Sequence, residues 1–187
     1  MRKVILFNLI TLDGYFEGTR KWDITWHRVD NEFDEFSIDQ LSHAGGIIFG
    51  RVTYEGMASF WQSPEAIETD PVVAAKMNSL PKFVFSKTME KAGWNNSQVI
   101  NGDAVQGLKR LKEQPGDDLF IFGSADLAST FIKNKMIDEY RLLVNPILLG
   151  NGGLMFTNYD EPVDLKLLDV RVFHNGNVLL KYAPDGE

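Results

Sequence analysis

The chain has 187 residues, 44% of them apolar and 12% aromatic, with 19 basic side chains against 26 acidic ones and no cysteine. That length allows one sizeable core, expected as a single domain over residues 1–187. The missing thiols exclude disulfides, thiolate catalysis and cysteine-ligated zinc or iron, and a formal net charge of −7 argues against a nucleic-acid surface.

Lys3 to Leu12 is nearly continuous in Val, Ile, Leu and Phe, as expected of a central strand covered on both faces. Met1-Arg2-Lys3 ahead of it resembles the start of a secretory leader. However, Asn8 interrupts the apolar run and no small-residue cleavage site precedes Asp13-Gly14-Tyr15, so a first strand and a cytoplasmic location are expected. No apolar run approaches the roughly 20 residues that cross a bilayer, so no membrane partner is expected either. A polar loop with Trp22 and Trp26 runs to about Val29, its indoles serving as a lid over a flat substrate or as core anchors. Asp30 is placed to cap a helix presenting Phe33, Phe36, Leu41 and Ala44 at helical spacing. Strand Ile47–Phe49 precedes a helix from about Thr53, and another starts at Asp70-Pro71, with the aspartate as its cap and the proline in the first helical position, runs to about Ser79 and ends before Pro81.

Lys82 to Ser86 is a short apolar strand, and Gln98 to Ile100 a weaker one. Asp103 can cap a helix with Val105, Leu108 and Leu111 on one stripe; strand Leu119–Phe122 and a helix burying Leu127, Ala128, Phe131 and Ile132 follow. Tyr140 to Leu149 reads as a strand that Pro146 interrupts, and so bends there or lies at an edge. Two last strands, about Val163–Val172 and Val178–Tyr182, are joined through His174-Asn175-Gly176-Asn177, where Asn-Gly signals a hairpin. Strands alternating with helices give an α/β fold: a mostly parallel central sheet flanked by helices, with a C-terminal antiparallel hairpin.

One pattern occurs twice, at Gly46–Glu55 and at Asp118–Leu127: an apolar run, a glycine, then a helix start. Helix openings carry unpaired N–H groups and partial positive charge, so two of them suit a ligand with separated phosphates, such as a dinucleotide. Ordinary βα turns use glycine in the same way, and the pattern alone leaves both readings open. Gly50, Arg51 and Thr53 combine a close-approach glycine, a forked cation and a hydroxyl. Ser86 and Lys87 add a hydroxyl and a cation just past a strand, where ligands collect in open α/β sheets. Gly123, Ser124 and Ala125 put small residues at the second helix start, though not in the G-x-G-x-x-G spacing of a Rossmann site. Asp13, at the end of the first strand, and the acids Glu32, Asp34 and Glu35 on the first helix are the candidates for substrate orientation or proton relay. A turn aspartate and a solvated helix face are the plainer readings of the same residues. The three histidines, His27, His43 and His174, lack metal-ligand spacing, and no metal is expected.

Set together in order, these segments resemble the dihydrofolate reductase superfamily, and within it the C-terminal reductase domain of riboflavin-biosynthesis deaminase-reductases. The resemblance rests on Thr11-Leu12-Asp13-Gly14, on Phe-Gly-Arg-x-Thr-Tyr-Glu at 49–55, and on Pro-Lys-Phe-Val-Phe-Ser-Lys-Thr at 81–88. It continues through Phe-Gly-Ser-Ala-Asp-Leu at 122–127, Ile-Asp-Glu-Tyr at 137–140 and Asn-Pro-Ile-Leu-Leu-Gly-Asn-Gly-Gly at 145–153. It implies NADPH as cofactor and hydride transfer to a pyrimidine- or pteridine-like compound, as in reductases of ribosylaminopyrimidines. By position, Gly50, Arg51 and Thr53 would hold cofactor phosphates, Ser86 and Lys87 the adenosine 2′-phosphate, and Gly123, Ser124 and Ala125 the pyrophosphate. Asp13 would face the reaction pocket, and Asp34 stands about where dihydrofolate reductases place a pterin-gripping acid. The resemblance also implies a homodimer, through the Tyr140–Leu149 strand or the terminal hairpin. Two departures are visible: Tyr15 follows Asp-Gly where riboflavin reductases commonly carry a basic residue, and the cysteines of a zinc deaminase half are missing. Dihydrofolate reduction, and nucleotide or drug binding without turnover, are the alternative activities.

Overall fold

In the computed structural model, which describes residues 1–159 and 161–186, the sheet is centred on β1 (Val4–Thr11). This strand pairs in parallel with two others, β6 (Asp118–Phe122) and β7 (Glu139–Asn145), and its apolar run is buried on both faces by the helices packed there. Ile5 stands opposite both Phe120 and Glu139. Beyond β6 lie β3 (Ala44–Gly50), β4 (Lys82–Phe85) and β5 (Ser97–Ile100), all parallel. Beyond β7, β10 (Val178–Pro184) and β9 (Leu165–Val172) add antiparallel, completing the order β5-β4-β3-β6-β1-β7-β10-β9. Gly176, at φ +89° in the β9–β10 turn, takes the left-handed backbone that the Asn-Gly signal anticipates.

Helices cover the sheet where its neighbours leave apolar faces. On one face Val4, Leu6, Leu119 and Ile121 pack against Leu108 and Leu111 of α5 (Ala104–Glu113) and Phe131 of α6 (Ala125–Lys133). The other face has two clusters. Ile5, Phe7 and Phe120 meet Phe36 of α1 (Asn31–Ser42). Ile47, Phe49 and Val84 meet Tyr54 of α2 (Arg51–Trp61), Met77 of α4 (Pro71–Ser79) and Trp94. Lys82 is fully buried there: its Nζ donates to the carbonyls of Asn78, Leu80 and Asn95 at 2.8–3.0 Å and lies 4.4 Å from the centre of the Trp94 ring. Among the described residues, no helix is long and apolar enough to cross a membrane.

Four local expectations are corrected. Pro146 neither bends a strand nor marks an edge: β7 stops at Asn145, between β1 and β10, because proline cannot donate to the ladder. Ala44 begins β3 instead of completing the helical stripe, and α2 opens at Arg51, two residues before Thr53, with Gly50 as its N-cap. Leu127 is half-buried, on the rim of its cluster. Two further features were not anticipated: the short helix α3 (Pro64–Thr69), and a two-stranded sheet of β2 (Tyr15–Glu17) and β8 (Gly153–Leu154).

Candidate active site

Except for Asp34, which lies on α1, the expected site residues gather along one edge, at the C-terminal ends of four adjacent strands. In spatial order these are β4, followed by Ser86 and Lys87; β3, followed by Arg51 and Thr53; β6, followed by Gly123, Ser124 and Ala125; and β1, followed by Asp13. At about 4.8 Å between neighbouring strands, the row spans about 14 Å. The two glycine turns, more than seventy residues apart in sequence, are neighbours because β6 pairs with β3.

They are also bonded to each other. The Gly50 N–H donates to Ser124 Oγ at 2.7 Å, and that hydroxyl donates to Thr53 Oγ1 at 2.8 Å. A Cβ on Gly123 would stand 2.7 Å from the Thr53 methyl, and Gly123 (φ +65°) and Ser124 (φ +59°) both take left-handed backbone, so glycine is required at the first position. Neither Gly50 nor Ser124 caps its helix with a side-chain hydrogen bond, whereas Asp30, Ser63 and Asp103 cap α1, α3 and α5; Asp70, expected to cap α4, makes no such bond either, Pro71 having no N–H in the first position. The result is two helix starts, side by side, with their N–H groups uncapped by side chains, a geometry suited to anionic oxygens.

Asn8 completes the arrangement. Its Oδ1 accepts from the Gly123 N–H at 2.9 Å, while its Nδ2 is buried without a partner. The signal for it was present in the sequence as a lone amide inside an otherwise apolar strand. Arg51 is exposed and paired with Glu55 at 3.0 Å, one helical turn on. The Ser86 hydroxyl accepts from the N–H groups of Thr88 and Met89, fixing the turn after β4, and Lys87 is exposed beside it.

The two candidate carboxylates have opposite surroundings. Asp13 accepts from the Thr11 hydroxyl at 2.6 Å and from the N–H groups of Gly150 and Leu149 at 2.8 and 3.2 Å. The hydroxyl first, and then the two amides, hold its carboxyl below the usual range. Its oxygens tie the 149–150 loop to the end of β1. Asp34, in the first turn of α1, is pushed the other way, first by burial and then by the charges of Asp70 and Asp30. The two Trp residues of the loop divide their roles: Trp26 is buried with its Nε1 donating to the Asp23 carbonyl at 3.2 Å, while Trp22 remains 40% exposed. His27 is half-buried next to Trp26 with its Nε2 shut off from solvent, and desolvation lowers its pKa to about 4.

A hollow of about 260 Å³ lies elsewhere, between α1 and strands β6, β1, β7, β10 and β9, and includes none of the expected residues. Its cations Arg141, Arg171 and Lys181 are each matched by a carboxylate (Glu139, Glu32 and Asp169) at 2.6–3.0 Å. That leaves little net charge to attract an anion.

Comparison with known proteins gives a consistent answer. The uncharacterized protein YyaP of Bacillus subtilis is 30% identical over 185 residues, covering 99% of this chain and 96% of its own length. A putative riboflavin biosynthesis protein from Shewanella sp. PV-4 superposes with a TM-score of 0.78 at 22% identity, with 98% of this chain and 99% of that one covered. Dihydrofolate reductase from Enterococcus faecalis, solved in complex with NADP(H), shares the fold with a TM-score of 0.68 at 13% identity, over 98% and 97% of the two chains. The model of the RibD C-terminal domain matches residues 2–179, and the chain belongs to that family.

Proposed function

We propose that this protein is an NADPH-dependent reductase acting on a small pyrimidine- or pteridine-like heterocycle. The observation that carries the reading is the order of groups along the sheet edge: a cation and hydroxyl after β4, two side-chain-uncapped helix starts after β3 and β6, a carboxylate after β1. NADPH presents its parts in the matching order of 2′-phosphate, diphosphate and uncharged nicotinamide. Ser86 and Lys87 take the 2′-phosphate; Gly50, Thr53, Gly123, Ser124 and Ala125 line the diphosphate; Arg51 reaches the phosphates from between them. Its pair with Glu55 is solvent-exposed and so worth under about 1 kcal/mol, which leaves the guanidinium available to a phosphate.

When bound, the nicotinamide supplies the hydride. The chain's own residues orient the acceptor, exclude water and hold a proton. Two carboxyl groups whose surroundings push their pKa values apart divide such work between them. Asp34, biased toward its neutral form, is the proton holder; Asp13, biased toward its ionised form, fixes the 149–150 loop around the acceptor. The protein works as a homodimer joined through its β9–β10 hairpin, where β9 leaves Leu167, Leu168, Val170 and Val172 exposed at the edge of the sheet.

Fluorescence titration tests this directly. NADPH should bind more tightly than NADH, and Arg51→Ala with Lys87→Ala should remove about ten- to a hundred-fold of NADPH affinity, the worth of one or two charge-assisted bonds. Equal and negligible binding of both nucleotides by the unaltered protein would sink the proposal. Turnover of dihydrofolate, against turnover of ribosylaminopyrimidines, then separates the two substrate classes.

A further inference from the structure

Three Asn-Gly pairs occur in the chain, at 101–102, 151–152 and 175–176. Asparagine before glycine carries a reaction of its own. The glycine amide nitrogen can reach the asparagine's side-chain carbonyl carbon, and no Cβ on the glycine impedes the approach or restricts the backbone. Whether that reaction runs depends on how firmly each pair is held, and the fold holds the three differently.

Asn175-Gly176 is fastened by hydrogen bonds. The Gly176 N–H donates to the Phe173 carbonyl at 3.0 Å, Asn175 Oδ1 accepts from the Asn177 N–H at 3.0 Å, and Asn175 Nδ2 donates to the Arg28 carbonyl at 3.2 Å. Asn151-Gly152 lies between Gly150, whose N–H donates to Asp13, and strand β8. A Cβ on Gly152 would stand 2.3 Å from the Glu17 carbonyl oxygen, so that stretch of backbone is hemmed in. Asn101-Gly102 is held by neither device. Both residues are exposed in the link between β5 and α5, and a Cβ on Gly102 would meet nothing within 4 Å. Among the described residues, neither the Gly102 N–H nor the Asn101 side chain has a hydrogen-bond partner.

We propose that Asn101 is a modification site, converted to aspartate or isoaspartate by the chain itself, and that the new carboxylate repels the 2′-phosphate end of the dinucleotide. The Gly102 amide gives its proton to solvent base, and its nitrogen bonds to Asn101 Cγ. The Cγ–Nδ2 bond then breaks, and Nδ2 leaves as ammonia with a proton from solvent. Water opens the resulting cyclic imide at either carbonyl, giving aspartate, or isoaspartate with the main chain routed through Cβ. Water is consumed and ammonia released, with no oxidant or reductant. The position gives this change a consequence. Ile100 stands opposite Phe85, and the Ser86 N–H donates to the Ile100 carbonyl at 3.2 Å, so Asn101 leaves β5 directly beside Ser86 and Lys87. Asp103, two residues on, is turned to the Gln106 N–H at 3.0 Å as the cap of α5. The effect on the cofactor rests on the dinucleotide reading above; the conversion does not.

Incubation of the folded protein in warm, mildly alkaline buffer, followed by peptide mass spectrometry, reads the conversion as oxygen replacing NH. Asn101 should convert first, Asn151 later and Asn175 last, whereas in urea the three should convert at comparable rates. Asn151 or Asn175 converting ahead of Asn101 in the folded protein would overturn the modification site. For the consequence, Asn101→Asp supplies the charge, and Asn101→Gln keeps an amide while disfavouring ring closure. In fluorescence titrations Asn101→Asp should weaken NADPH about three- to ten-fold, and NADH, which lacks the 2′-phosphate, by less than about two-fold. Added salt should shrink the difference. Asn101→Gln should match the parent at the start and hold its NADPH affinity through an incubation that lowers the parent's. Equal NADPH affinity in Asn101→Asp and the parent would remove the effect on the cofactor and leave the dinucleotide reading standing. A parent that binds neither nucleotide would remove that reading and the effect together, while the order of conversion would still decide the modification.

Discussion

The two halves of the sheet leave different things unfinished. The parallel half, β4-β3-β6-β1, is covered on both faces, and its open valences are backbone N–H groups at two helix starts without side-chain caps. The antiparallel half ends in β9, which is exposed along nearly its whole length and carries apolar side chains. One half is short of hydrogen-bond acceptors, which a small anionic ligand supplies. The other is short of apolar cover, which a protein surface supplies. The contrast sets the turns with least side-chain volume on the edge proposed to take a ligand, and the bulky, water-exposed residues on the edge proposed to meet a second copy.

Breaking the ligand edge should have the largest effect. Asp34→Asn removes the proposed proton holder, and kcat is expected to fall by about a hundred-fold or more. Because burial and the Asp70 and Asp30 charges raise the Asp34 pKa, the neutral, active form persists to higher pH than for an ordinary aspartate. The rate should decline as pH rises through that raised value, and the variant should lose this limb of the pH–rate profile. Gly123→Ala comes next. Its positive φ and the approach of the Thr53 methyl are expected to cost about 1–3 kcal/mol in urea unfolding, together with NADPH affinity.

The other edge should respond in assembly and leave the ligand turns alone. Replacing Leu167 and Val170 by lysine is expected to yield monomers in sedimentation at concentrations where the parent is dimeric, with NADPH affinity within about two-fold of the parent. Sedimentation that stays the same in parent and variant would put the interface elsewhere. The smallest effect is expected at the junction of the two halves, where Glu32 of α1 accepts from the His174 N–H, Arg171 and the His174 ring near the hairpin turn. These partners lower its pKa from 4.5 to about 2. A depressed carboxylate contributes stability above the unfolded value, lost as pH falls from 4.5 toward about 2. Urea midpoints of Glu32→Gln should be flatter than those of the parent over that window, and should differ little from them in slope near neutrality.

What was legible in the sequence was local. Asp30 and Asp103 were readable as caps because a helix start needs an acceptor three residues ahead of a free N–H, and both supply one, to Phe33 and Gln106. The first strand was readable because burial on both faces suppresses alternation. Hidden features depended on partners far away in the chain. Nothing near Asn8 indicates that its carbonyl oxygen fixes a turn 115 residues later. Nothing near Gly56 indicates that an indole from the β2–α1 loop fills the space its missing side chain leaves. Pro146 was misjudged because its effect on a strand depends on where pairing stops, which β1 and β10 decide. The short helix at Pro64 carried its own start signal, a serine before a proline and a glutamate, with Ser63 Oγ accepting from Ala66 N. The site was therefore legible as a set of turns, while their adjacency required the strand order.

That strand order also bears on how the chain acquires its shape during synthesis. β1 pairs with neither β3, β4 nor β5; its two partners in the sheet lie at residues 118–122 and 139–145. Its eight residues, six of them apolar, must remain unpaired while more than a hundred others are made. Contacts of such sequence separation form late and slowly, and leave a sticky segment waiting in the meantime. A ribosome-bound chain halted near residue 110 should present β1 to chaperones or protease. One halted well past residue 145 should withdraw it.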